Sequence, residues 1–239
     1  MLRWSMMALL LLFQIPALAA GASGSGEPEE VARTIVLVRH GSYVADPAAD
    51  PAVGPPLSPL GVTQAHLAGA RLAALGLHFD AYRVSPMRRA RDTATVIADE
   101  LPGSAFEVDD DLAECMPPTR REEATADTSP AELVACKDRL DRLFERYFHP
   151  ADGGNRAALL VCHGNMIRYL VTRALGVDTK AWLEMSIRNA SITQVRVEAD
   201  GRFKVITVGG DGFMPASMLT GATGDDEGRD QGVLVPGGE

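Results

Sequence analysis

Apolar residues in this chain fall into two patterns: short unbroken runs, and longer stretches in which they recur every three or four positions. "TIVLV", Thr34 to Val38, is of the first kind and predicts a strand in the middle of a sheet covered on both faces. A loop rich in Pro, Asp and Ala follows to Leu57. "SPLGVTQAHLAGARLAAL" is of the second kind. Ser58 supplies an N-cap, Pro59 suits the first helical position, Leu60, Leu67, Ala70 and Leu75 recur at helical spacing, and Gly76 ends the helix. Phe79 to Ser85 predicts the next strand, and Ser85–Pro86 opens a second helix that runs to Pro102. "AFEV" predicts a short strand, and the polar stretch Asp109 to Pro130 an excursion loop. Ser129 announces an amphipathic helix, "AALLVC" another buried strand, and "GNMIRYLVTRAL" a helix closed by Gly176. "SITQVRVEADGRFKVITV" predicts a hairpin about Asp200–Gly201, and from Ala222 the chain is rich in Gly and Asp.

Strands and helices that alternate in this way predict an α/β fold, a three-layer αβα sandwich with a mostly parallel central sheet. In such sheets ligands sit beyond the carboxyl ends of the strands. His40 and His163 each follow directly on an apolar strand, so both are expected on that edge although 122 residues of chain lie between them.

The ends of the chain change the picture. "MLRWSMMALLLLFQIPALAAGASGSGEPEE" opens with Arg3 and an apolar run, then has small residues at Ala17 and Ala19 and a Gly/Ser stretch. That pattern predicts a signal peptide over residues 1–19 and a linker over 20–33, hence export to a periplasmic or extracellular location. The alternative is an uncleaved membrane anchor, although the run is shorter than the ~20 residues that cross a bilayer. The folded domain is expected over residues 34–215 and a flexible tail over 216–239. With 239 residues, 46% of them hydrophobic, one sizeable core is enough.

A net charge of -9 argues against a nucleic-acid partner, but a local cluster of arginines can still hold an anion. The three cysteines, Cys115, Cys136 and Cys162, match no zinc spacing. Cys162 ends an apolar run and reads as a buried small hydrophobe. A Cys115–Cys136 bridge is open, and the expectation is that they stay unpaired.

The candidate chemistry is weak residue by residue. Arg39–His40 alone reads as a solvated strand end, and His163 as a hydrogen-bonded core histidine. Arg88, Arg89 and Arg91 read as a solvated helix face, but cations at a helix start oppose its dipole, so one of them should have an anion to hold. Glu114 lies in "DDDLAEC", where most carboxylates are simply solvated. Together these residues describe a pocket for a phosphoryl dianion, with free N–H groups at helix starts. Phosphoryl transfer asks mainly for positioning and charge stabilisation. A neutral imidazole can be its nucleophile, and a carboxylic acid can protonate the leaving oxygen.

"VRHG", "LSPLGVTQA", "VSPMRRARDTA" and "VCHGNMIRYLV", in that order, resemble the histidine phosphatase superfamily over about Thr34 to Pro215. "NASIT" and "GDGFMP" resemble more narrowly its mitochondrial serine/threonine protein phosphatase branch. The resemblance implies that His40 is the phosphorylated nucleophile and Arg39 a phosphoryl ligand. Arg89 is the arginine of the Ser-x-x-x-Arg-Ala motif counted from Ser85. His163 binds the transferring oxygens, and Glu114, after Leu112, is the proton donor. It implies no metal and no other cofactor.

Ser42, Tyr43 and Val44 after "RHG" depart from the family's mutases and argue against mutase activity. The short stretch before the first strand offers no basis for large assemblies or mitochondrial partners; a homodimer is allowed. The expected substrate is a phosphorylated serine/threonine protein or, nearly as well, a small phosphomonoester such as a sugar phosphate or nucleotide. Loops 44–56 and 115–130 would choose between them. The reading from another class is a binding protein that holds a phosphorylated partner without turnover.

Overall fold

The computed structural model describes residues 31–221; the expected signal peptide and most of the expected linker and tail lie outside the described residues. In chain order the elements are β1 (Arg33–Arg39), α1 (Pro59–Ala73), β2 (Ala81–Val84), α2 (Arg88–Glu100), β3 (Glu107–Val108), α3 (Pro130–Tyr147), β4 (Arg156–Cys162), α4 (Gly164–Leu175), β5 (Ile192–Val197) and β6 (Phe203–Gly210). Short 3-10 turns punctuate the loops, among them Asp110–Leu112 and Ala216–Met218.

Among the described residues the strands form one sheet in the order β3-β2-β4-β1-β5-β6. β1, β2, β3 and β4 run parallel, and the hairpin β5–β6 adds two antiparallel strands at one edge. The alternation along β1 sends Ile35 and Leu37 to one face, where they meet Leu140, Leu143 and Phe144 of α3 and Ile167 and Leu170 of α4. Val36 and Val38 face the other way, toward Leu72 of α1 and Ala90, Ala94 and Ile97 of α2. Helices therefore cover both faces, as the αβα reading requires. Burying one such Leu or Ile side chain stabilises the fold by about 1.5–3 kcal/mol.

The helix signals act where the sequence puts them. Ser58 accepts from Gly61 N, Ser129 and Glu132 form a reciprocal capping box, and Gly176 takes the left-handed conformation that ends α4. α2 differs. It begins at Arg88, two residues later than the predicted Pro86, and its N-cap Met87 makes no side-chain cap bond. Ser85 is committed elsewhere, as the site shows.

Two expectations are corrected. Cys115 and Cys136 are disulfide-bonded, with Cα atoms 5.8 Å apart. Their spacing in sequence does not reveal that α3 packs directly behind the acidic loop. Residues 216–221, assigned to the tail, are packed onto the domain: Gln64 Nε2 donates to Met218 O at 2.6 Å, and Asn189 N to Thr220 O at 3.0 Å. The segment, Ala-Ser-Met-Leu-Thr-Gly, is too short to show an apolar period, and apart from Leu219, which packs against the Ala68, Ala190 and Met214 cluster, hydrogen bonds hold it.

Candidate active site

Three parallel strands deliver the site. The register pairs Arg39 with Cys162 and Val84 with Val161, so the next residues along, His40, His163 and Ser85, emerge at one edge. Backbone bonds continue past the strands: His40 N donates to Cys162 O and Ser85 N to Val161 O, both at 3.0 Å. The two imidazoles lie 5.1 Å apart between centroids, and both residues are fully buried.

His40 Nδ1 is 2.8 Å from Gly41 O. A carbonyl only accepts, so Nδ1 carries the proton and the lone pair of the neutral ring sits on Nε2. Arg89 Nε donates to that Nε2 at 3.1 Å. Burial, followed by the charge of Arg89, holds both histidines well below the ordinary imidazole range. They are therefore neutral at physiological pH.

The carboxylate that faces the imidazoles is Glu114, whose Oε2 is 3.7 Å from His163 Nδ1. The neighbouring acids are committed elsewhere. Asp109 accepts from Arg146 and from Tyr147 Oη, and Asp111 pairs with Arg146, all on α3. The Glu114 loop is pinned by buried Leu112, by the disulfide next to Glu114, and by Arg139 Nη2, which donates to Ala113 O at 2.7 Å.

The arginines separate by burial. Arg89 is buried (5% exposed) and lies 5.1 Å above the Tyr43 ring. Arg88 is exposed and pairs with Asp92, and Arg91 is exposed. Arg39 is fully buried, and its Nη1 donates to Ile187 O and Gly221 O, both at 2.6 Å. Arg39, Arg89, His40, His163 and Glu114 thus converge at one strand edge.

Gly41 has a different reason from the one a turn suggests. It is absent from the residues with positive φ, and a Cβ there would meet Gly61 O at 2.5 Å. The glycine allows the loop after β1 to lie against the first turn of α1.

Sequence reasoning missed three side chains here. Ser85 Oγ is 2.7 Å from His163 Nε2, so the serine read as a helix cap holds a site histidine instead. Its place at the head of the Ser-x-x-x-Arg-Ala motif was the available signal. Thr93 Oγ1 accepts from Gly41 N at 3.0 Å and steadies the loop after His40. Tyr43 packs edgewise on His40, with centroids 5.5 Å apart. Neither Thr93 nor Tyr43 carries a signal without the tertiary contact.

The family model for branch 1 of the histidine phosphatase superfamily matches residues 35–208. The chain belongs to this superfamily. The mitochondrial serine/threonine-protein phosphatase PGAM5 of Homo sapiens is 36% identical over 193 residues, covering 79% of this chain and 66% of that protein. PGAM5 of Rattus norvegicus matches with the same figures. The chain thus spans a little under two thirds of the length of these curated relatives. Among solved structures, a phosphoglycerate mutase from Plasmodium falciparum superposes with a TM-score of 0.53 at 24% identity, covering 75% of this chain and 91% of its own. A mycobacterial glucosyl-3-phosphoglycerate phosphatase gives 0.55 at 23%, covering 75% and 100%. At such identity these structures establish that the histidine phosphatase chain has the phosphoglycerate-mutase-like fold.

The relatives correct one expectation. They are mitochondrial proteins, which overturns the assignment of this histidine phosphatase chain to a periplasmic or extracellular location. The physical reason is that a short apolar run behind a single arginine does not by its composition specify a destination.

Proposed function

We propose that the protein is a metal-independent phosphatase that hydrolyses phosphomonoesters through a phosphohistidine on His40. The observation that carries this reading is the His40 ring itself. Its proton is tied to Gly41 O, and its unprotonated Nε2 accepts from the buried guanidinium of Arg89. In the reaction Arg89 exchanges its bond to Nε2 for the phosphoryl oxygens. Nε2 then attacks phosphorus in line. The P–O bond to the leaving group breaks, and Glu114 gives its proton to the departing oxygen. Arg39, Arg89 and His163 stabilise the charge on the equatorial oxygens, for which Ser85 orients the His163 ring. Water then loses a proton to Glu114 and attacks phosphorus. The P–N bond breaks, inorganic phosphate leaves, and His40 and protonated Glu114 are regenerated.

For substrate we propose phosphoserine or phosphothreonine in a protein, the class stated in the name of the relatives, and for location the mitochondrion, on the same support. The decisive experiment is rapid-quench labelling with a phosphorylated peptide and, in parallel, with sugar phosphates and nucleotides. Acid-labile, base-stable label that is lost in His40→Ala supports the mechanism, and the faster substrate gives the class. Label that persists in His40→Ala overturns the nucleophile. Tight phosphopeptide binding with no turnover of any substrate returns the protein to the class of non-catalytic phosphate binders.

A further inference from the structure

Behind the nucleophile runs a closed chain of buried polar groups that the reaction above does not use. Gln64 on α1 is fully buried, and its Oε1 accepts from Ser42 N at 2.8 Å. Its Nε2 donates to Thr220 Oγ1 at 2.9 Å. Thr220 Oγ1 donates in turn to Asn189 Oδ1 at 3.0 Å, and Asn189 Nδ2 donates to His40 O at 3.1 Å. The chain begins and ends on the backbone on either side of Gly41, and it bridges α1, the turn before β5 and the C-terminal segment. Its polarity is unambiguous. Ser42 N can only donate and His40 O can only accept, so both amides have one orientation, and the threonine hydroxyl accepts on one side and donates on the other.

Two further features surround it. Ala190, next to Asn189, has φ +54°, a conformation unfavourable for a residue with a Cβ. In that conformation Ala190 N reaches both Arg39 O and His40 O at 3.1 Å. Gly221, next to Thr220, has φ +66°, and a Cβ there would run into Asn189 Oδ1 and lie 3.1 Å from Arg39 Nη1. Strained backbone and a glycine packed against a functional arginine are thus both spent on holding one turn of chain. The motif "NASIT", which the general superfamily pattern does not require, begins with this asparagine.

We propose that Gln64, Asn189 and Thr220 form a positioning bracket that sets the line of attack of His40, so that the C-terminal segment is part of the catalytic apparatus. The proposal rests on His40 being the nucleophile. None of the three is a catalytic residue; they act through the His40 backbone. A buried, fully satisfied polar chain rigidifies what it binds, and misplacing a nucleophile by a fraction of an ångström slows attack far more than it weakens phosphate binding.

The test is single-turnover phosphorylation of the full-length chain by nitrophenyl phosphate. Thr220→Val removes the hydroxyl at nearly constant shape, while the backbone bonds from Asn189 N and Arg39 remain available. Bracketing predicts that the phosphorylation rate constant falls about 10- to 100-fold with full burst amplitude, with the inhibition constant of inorganic phosphate within about twofold of wild type. Thr220→Ser should restore the rate. Asn189→Ala cuts the same chain at its other end, so the double variant should be no slower than the slower single variant.

An unchanged rate constant in Thr220→Val overturns the proposal. So does a reduced burst amplitude with an unchanged rate constant, which marks a purely structural role, and so do multiplicative losses in the double variant. Loss of wild-type label from His40 would instead overturn the nucleophile assignment, and the two failures are told apart by the wild-type burst.

Discussion

Arg89 Nε and His40 Nε2 are 3.1 Å apart across 49 residues of sequence, the guanidinium donating to the nitrogen we assign as nucleophile. This contact does two things before substrate arrives. It favours the tautomer whose lone pair is on Nε2, and on the mechanism proposed above it places a cation where phosphoryl charge would develop. Its burial is what distinguishes Arg89 from the arginines on either side.

Arg89→Ala is therefore expected to lower kcat/KM for a phosphomonoester by about two to three powers of ten, in line with loss of one preorganised donor to transition-state charge. Arg88→Ala and Arg91→Ala, exposed and screened by salt, should change it by less than about threefold. Steady-state kinetics on the three variants provide the check; comparable losses in all three would mean that the register of the motif is wrong.

The buried histidines make a prediction about pH and stability. Both have native pKa values held well below the ordinary range, by burial first and by Arg89 next. The unfolded chain binds protons at about pH 6.5, where the native state does not. Their contribution to stability is therefore present above about pH 6.5 and is lost as pH falls toward the native values. Each histidine costs roughly 1.4 kcal/mol for every pH unit of that fall. Urea unfolding across that range should show less loss in His40→Asn than in wild type. An equal slope in the two proteins would place His40 in water.

Glu114 separates from its neighbours by where they point. Asp109 and Asp111 are held by Arg146 and Tyr147, whereas Glu114 faces His163. Glu114→Gln should slow single-turnover phosphorylation by a phosphoserine peptide at least about tenfold more than by nitrophenyl phosphate, whose leaving group needs no proton. Rates unchanged from wild type on both substrates would move the search to Asp110.

The disulfide gives that experiment a partner. Cys115 adjoins Glu114 and is tied to Cys136 on α3. Replacing both cysteines by serine should lower stability by about 3 kcal/mol, the scale for a loop of this length. It should also reproduce a weaker form of the Glu114→Gln pattern, with a larger loss on the phosphoserine peptide than on nitrophenyl phosphate. Calorimetry and the same single-turnover assay test the two halves separately. Unchanged kinetics would show that Leu112 and Arg139 suffice to hold the loop.

Local interactions were legible in the sequence, and the reason is that they act over one turn or one strand. Unbroken apolar runs marked β1 and β4, Ser–Pro pairs marked α1 and α3, and a strand followed at once by histidine put His40 and His163 on one edge. Arg39, Arg89 and Glu114 could be proposed as site residues because they stand at recognisable spacings within motifs. What only the tertiary structure decided involves groups brought together from distant parts of the chain. Ser85 has the spacing of a helix cap, yet its hydroxyl goes to His163, 78 residues away. Cys115 and Cys136 pair because α3 packs behind the acidic loop. Gln64, Asn189 and Thr220 have no common periodicity, and nothing in their local sequence shows that they close a ring around Gly41. Hydrophobic burial writes its period into the chain, whereas a long-range hydrogen bond needs only one donor and one acceptor and leaves no period to read.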